Sequence, residues 1–241
     1  MSSPSAAPAI QITQVVRNYG ALRPLRIAAL VVAPGERVAL AGFDAAAAEV
    51  LVNLVTGASL PEQGEVRVLG QATSEIANGD EWLASLERFG IVSPRAVLIE
   101  GATLLQNLAI PFTLEIEPVP PAIAERVTAL AAECGITRAS DTGWLEKRAG
   151  DVPGDMRARL HLARAIALDP ALMLLEHPTA GVDEKARAAL AEDVRRVLEG
   201  RRLTSVTITQ DTTFASRVAH RTLELQPATG ELKPKRKGWF G

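Results

Sequence analysis

The chain has 241 residues, 47% of them hydrophobic and 22% charged, with a formal net charge of -2. That suits one α/β domain with a closely attached subdomain and gives no global drive toward nucleic acid or an anionic membrane. A single cysteine, Cys134, excludes an intramolecular disulfide and a cysteine metal cluster, and His161, His177 and His220 show no ligand spacing.

Residues 1–9 are rich in Ser, Ala and Pro and lack the basic start and apolar run of a secretory signal, so a short disordered lead-in is expected. Residues 10–16 alternate as a strand does. A second apolar run, 28–32, ends at the turn-forming Ala33-Pro34-Gly35-Glu36. Residues 37–41 read as a buried strand reaching Gly42. A helix over 45–55 follows, with Val50, Leu51, Leu54 and Val55 on one face and Gly57 as its stop. A short strand is expected between Gly64 and Gly70, a helix over 81–87 and a strand over 89–92. The middle reads as helices over 104–114, 120–134 and 156–168. Strands over 171–176, 204–209 and 221–225 then alternate with helices over 184–198 and 214–219. This order implies a mainly parallel sheet with helices on both faces and a helical subdomain inserted at about 95–168. No stretch reaches the roughly 20 apolar residues that a membrane-spanning helix needs.

Two segments are more specific. Residues 35–70 carry strand, loop, helix and returning strand; residues 157–183, RARLHLARAIALDPALMLLEHPTAGVD, carry helix, strand and loop. In order and spacing the chain resembles the ABC-transporter ATPase family over roughly residues 10–228. The resemblance implies an α/β, P-loop NTPase-like fold: a mainly parallel sheet, an N-terminal antiparallel β part and the inserted helical subdomain. It leaves 229–241 as a basic and aromatic tail. There Lys233, Lys235, Arg236 and Lys237 with Trp239 and Phe240 could meet anionic headgroups, at about 1 kcal/mol per basic residue, or simply form a solvated end.

The resemblance also assigns sites. Tyr19 matches the aromatic that stacks on adenine. The phosphate loop, Gly-x-x-x-x-Gly-Lys-Ser/Thr, cradles phosphates with backbone N–H groups, a Lys and a Mg²⁺-binding hydroxyl. It matches GFDAAAAEV, residues 42–50. Gly42 is kept, Ala47 and Ala48 stand for Gly and Lys, and Glu49 and Val50 stand for the hydroxyl residues. Alanine resists positive φ, and Glu49 opposes a triphosphate. The alanines favour helix, and Asp44 is placed to cap it, so the loop is expected to be filled by an extra helical turn. In LMLLEHP, residues 172–178, Glu176 matches the Mg²⁺-holding Asp and His177 the catalytic Glu. His177 is expected to hydrogen-bond a neighbouring loop. Gln210 matches the switch His, and Pro94 the Gln that links Mg²⁺ to the membrane partner; Arg95 beside it reads as an exposed loop charge. The signature Leu-Ser-Gly-Gly-Gln matches VPGDM, residues 152–156, with only Gly154 kept and Asp155 setting a negative charge toward a γ-phosphate.

These residues imply a non-hydrolysing scaffold or regulatory subunit. Its partner would be a transmembrane permease, an active ATPase subunit or a second copy of itself. It would need no cofactor, or ATP and Mg²⁺ only if residual binding persists. It would bind no nucleic acid and would be cytoplasmic, reaching the cytoplasmic face of the inner membrane through its partner. Two alternatives remain open: an atypical ATPase using Tyr19 and Glu176, and a soluble binding module for another ligand near Gly42, Glu49, Glu176 and His177.

Overall fold

A computed structural model describes residues 7–137 and 143–235. Residues 1–6 of the expected lead-in and Arg236, Lys237, Trp239 and Phe240 of the expected tail lie outside the described residues. Strand β1 (Ile10–Arg17) turns Ile10, Ile12 and Val15 into the core. The alternation slips by one because Gln14 takes a φ of 50° and the register shifts there, a bulge that returns Val15 to the buried face. Strand β2 (Leu25–Val32) buries every second residue at its ends, and β4 (Gln63–Val68) and β5 (Gln71–Ala72) complete an antiparallel sheet of order β2-β1-β4-β5. Ala9 is already part of it: it is buried, its amide donates to the Val32 carbonyl, and its carbonyl accepts from Leu69. The ordered domain therefore starts before residue 10.

The second sheet has the order β10-β9-β3-β8-β7-β6. Its strands are β3 (Arg37–Ala41), β6 (Phe89–Val92), β7 (Leu172–Glu176), β8 (Thr204–Ile208), β9 (Arg221–Gln226) and β10 (Glu231–Pro234). All neighbours are parallel except β9 and β10. Strands β7 and β8 are buried at every residue, as the inner strands of a sheet covered on both faces must be. Strand β10 corrects the expected end of the domain at 228. Residues 231–234 pair with β9, so Lys233 belongs to a sheet edge rather than a loose tail.

Helix α1 (Ala45–Val55) packs Leu51, Leu54 and Val55 onto the first core, between the antiparallel sheet and one face of the parallel sheet. The helices α2 (Gly79–Leu86), α3 (Leu104–Ala109), α4 (Pro121–Glu133), α5 (Gly154–Ile166), α6 (Glu184–Gly200) and α7 (Thr212–Val218) follow. A second core joins α3, α4 and α5 to the opposite sheet face and to α6. Helix α3 ends well short of residue 114: Pro111 has no N–H to give and its ring would strike the carbonyl of Asn107.

A buried ionic network crosses between α5 and α6. Arg159, 2% exposed, donates to Asp193 at 2.9 Å through Nε and contacts Asp155 at 2.6 Å through Nη1. Arg196 meets the other oxygen of Asp193 at 2.7 Å. Burial of such charges is tolerable only when each is paired, so this network fixes the helical subdomain against the sheet layer. No helix among the described residues is long and apolar enough to cross a membrane.

Candidate functional site

Four chain segments meet at the carboxyl ends of the parallel strands, where open α/β sheets place ligands. They are the loop from β3 into α1, the loop after β6, the end of β7 and the end of β8. The first turns at Gly42, whose φ is 84°. A Cβ there would lie 3.0 Å from the Leu225 carbonyl oxygen, so this glycine is required by both conformation and packing.

Helix α1 begins at Ala45, inside the segment that the phosphate-loop pattern assigns to loop. Asp44 is its N-cap, and its carboxylate accepts from the Ala47 amide at 2.8 Å; the Ala48 amide donates to the Asp44 carbonyl at 2.9 Å. These two donors are thus taken up within the helix. Ala47 and Ala48 are buried and pack in the first core, with Val50 against its edge. Tyr19 is half-buried at the same core. Its phenol pKa is raised above the ordinary tyrosine value, first by burial and then by the charge of Asp44.

Glu49, on the second turn of α1, does not face the cleft as a lone charge. Its carboxylate lies 2.7 Å from Arg95 Nη1, and Arg95 Nη2 lies 2.7 Å from Glu176 at the end of β7. One guanidinium therefore bridges the helix and the strand. Glu176 is 2% exposed, and the same oxygen also accepts from the Ser93 hydroxyl at 2.8 Å. The Ser93 oxygen in turn accepts from the Arg95 amide at 3.1 Å, which shapes the turn that points Arg95 inward. Arg95 is an exposed loop residue, as expected, with 42% of its side chain open to solvent, but its charge is paired at both ends. A buried carboxylate needs a cation, and Arg95 supplies it. The sequence signal was present: two acids, Glu49 and Glu176, stand where the family pattern has a hydroxyl and an Asp, with an arginine just after Pro94.

At the end of β8, Gln210 donates from Nε2 to the Phe43 carbonyl at 2.7 Å, so the β8 loop is tied directly to the β3–α1 loop. His177 takes a φ of 43°, and its amide donates to the Ile208 carbonyl at 2.8 Å. Its ring Nε2 is buried without a hydrogen-bond partner, a correction to the expected bond to a neighbouring loop.

The VPGDM segment opens α5. Gly154 is fixed by packing: a Cβ would overlap the carbonyl oxygen of Gly181. Asp155 is also corrected, since its carboxylate is paired with Arg159 at 2.6 Å and does not stand as an uncompensated charge. An open cleft of about 240 Å³ lies beside this helix start, lined among others by Ser93, Arg157, Glu176 and His177.

The comparisons with known proteins bear on this arrangement. Residues 25–180 match the family model described as ABC transporter. The sulfate/thiosulfate import ATP-binding protein CysA of Methylococcus capsulatus is 28% identical over 222 residues, covering 90% of this chain and 60% of that protein. The lipoprotein-releasing system ATP-binding protein LolD of Coxiella burnetii is 24% identical over 216 residues, covering 88% of this chain and 91% of that protein. The chain spans about three-fifths of the length of the sulfate/thiosulfate import relatives. Among solved structures, the dimeric ABC transporter cassette MJ0796 superposes with a TM-score of 0.74 at 20% identity, covering 95% of this chain and all of that one. A bacterial Atm1-family ABC exporter with ATP bound gives 0.73, covering 96% of this chain and 39% of that one. With the family model matched over more than half of its length, the chain belongs to the ABC-transporter family of nucleotide-binding subunits.

Proposed function

We propose that the chain is a nucleotide-binding-type subunit of an ABC transport complex that does not turn over ATP and acts there as a scaffold or regulator. The observation that carries this reading is the Arg95 guanidinium between Glu49 and Glu176. Those two carboxylates stand where the family pattern has the hydroxyl and the Asp that hold Mg²⁺. An arginine held there meets their charge from within the chain. A triphosphate with Mg²⁺ does not fit the residues present. The Ala47 amide is taken by Asp44, Ala48 brings no cation, and Glu49 adds a carboxylate close to the γ-phosphate position. His177 has no acid to polarise water, and Gln210 is engaged with Phe43.

The partners follow from the relatives. They are ATP-binding components of import and release systems, and the MJ0796 cassette is a dimer. A transmembrane permease, an active ATPase subunit or a second copy is therefore the partner of this chain, which works at the cytoplasmic face of a membrane through that partner. The helical insertion, at about 95–168, lies within a domain that Ala9 and β10 extend beyond 10–228 at both ends. A second reading, an atypical ATPase, draws on the Glu176 carboxylate at the β7 end and on Tyr19 at the cleft.

The test is ATP turnover by the purified chain, alone and together with whatever transport components co-purify through it. Expected is no Mg²⁺-dependent turnover above the protein-free blank for the chain alone, and no change on Glu176→Ala. Turnover by the chain alone that Glu176→Ala abolishes would establish the atypical ATPase instead.

A further inference from the structure

Residues 93–99 join β6 to the helical subdomain, and they are held from several sides. Asn107 accepts from the Ile99 amide at 2.9 Å and donates to the Ile99 carbonyl at 3.0 Å. Arg164 donates to the Val97 carbonyl at 2.7 Å, and Leu98 is buried. These contacts bind the far end of the segment to the helical subdomain. At the near end, Ser93 and Arg95 bind it to Glu176 and Glu49, on the sheet and on α1. Along this held segment the side chains of Val97 and Ile99 stay open to solvent, at 79% and 48%.

We propose that Arg95 is a positioning residue, an internal counter-ion of Glu49 and Glu176 that fixes loop 93–99 to α1 and β7, so that Val97 and Ile99 stand in one place without any bound ligand. The inference rests on the proposed reading of a subunit without nucleotide turnover: a loop that is tied by its own arginine has no ligand-dependent state to switch into. The two halves of the bridge differ in strength. Glu49 is half-exposed and its pairing is open to screening by salt; Glu176 is buried and its pairing is screened less, although it shares the same 42%-exposed guanidinium. The sheet-side tie is therefore the stronger one, and the tie to α1 sets the direction of the guanidinium.

A competing account makes Arg95 a neutraliser of buried Glu176 with no hold on the loop. Two variants separate these accounts. Arg95→Ala removes the bridge and leaves a buried carboxylate with only Ser93. Arg95→Ala combined with Glu176→Gln removes the bridge and the stranded charge together. Amide hydrogen exchange is followed in the full chain without nucleotide, so ATP binding plays no part in the outcome, and exchange in α6 reports that the fold is intact. Expected is exchange at 95–99 faster by at least about tenfold in both variants, with the melting temperature of the double variant back near wild type. Glu49→Gln, a change at a half-exposed side chain, is expected to give a smaller increase at the same amides, and added salt is expected to have a similar effect on the wild type. Exchange at 95–99 within about twofold of wild type in both variants would overturn the proposal. So would a rise in the single variant that the double variant restores to wild type, since only the neutralising role would then remain.

Discussion

Arg95 shows how much at this site depends on partners that are distant in sequence. It meets Glu49 and Glu176, which lie 46 and 81 positions away (95 − 49 and 176 − 95), so no periodicity or local motif brings the three together. The positions of Gly42, Asp44, Glu49 and Glu176 were legible because the resemblance fixes them by spacing. What they do was not, because charge pairing is decided by tertiary contact. Asp155 is the same case: its charge is visible in the sequence and its cancellation by Arg159 is not. His161, beside the cleft, gives a residue-scale prediction. Burial, then the charges of Arg164 and Arg157, lower its pKa from 6.5 to about 4. The folded value lies below the unfolded one, so on acidification the unfolded chain takes up the proton first. Stability is therefore fully present above about pH 6.5 and falls as the pH drops toward about 4 through this group. Ring resonances of His161 that stay in the neutral form at pH 5.5 would agree; a ring that titrates near its ordinary value would not.

At the scale of elements, most strands and helices appear where hydrophobic period places them, because their buried faces are contiguous in sequence. The exceptions have local causes. Helix α3 stops before Pro111, although apolar residues continue past it. Strand β10 is a mostly exposed edge with no alternating pattern, and it is held by backbone pairing to β9 rather than by side-chain burial. Strand β5 has two residues, too few for any period. Helix α2 starts at Gly79, ahead of the expected residue 81, because Asn78 caps it by accepting from the Glu81 amide. The start of α1 matters most for function. Asp44 holds the Ala47 amide, and Asp44→Ala is expected to cost about 1 kcal/mol of stability, as other N-cap truncations do. Chemical denaturation measures this; an unchanged midpoint would mean that the run of alanines sustains the first turn without the cap.

For the whole molecule, two sheets and a helical insertion are packed so that four loops meet at the carboxyl ends of the parallel strands. The fold was accessible from the sequence because a colinear order of segments constrains topology strongly. The chemistry of the cleft was less accessible, because it rests on four loops whose mutual ties, Arg95 with Glu49 and Glu176 and Gln210 with Phe43, exist only in three dimensions. On the proposed reading those ties make the cleft largely self-satisfied: the Ala47 amide, the Arg95 guanidinium and the Glu49 and Glu176 carboxylates are engaged within the chain, and His177 Nε2 is the exception. The most direct test is an isothermal titration of the full chain with ATP in the presence of Mg²⁺. The self-satisfied cleft predicts no measurable heat and no thermal shift. Binding in the micromolar range, about -8 kcal/mol, would contradict it.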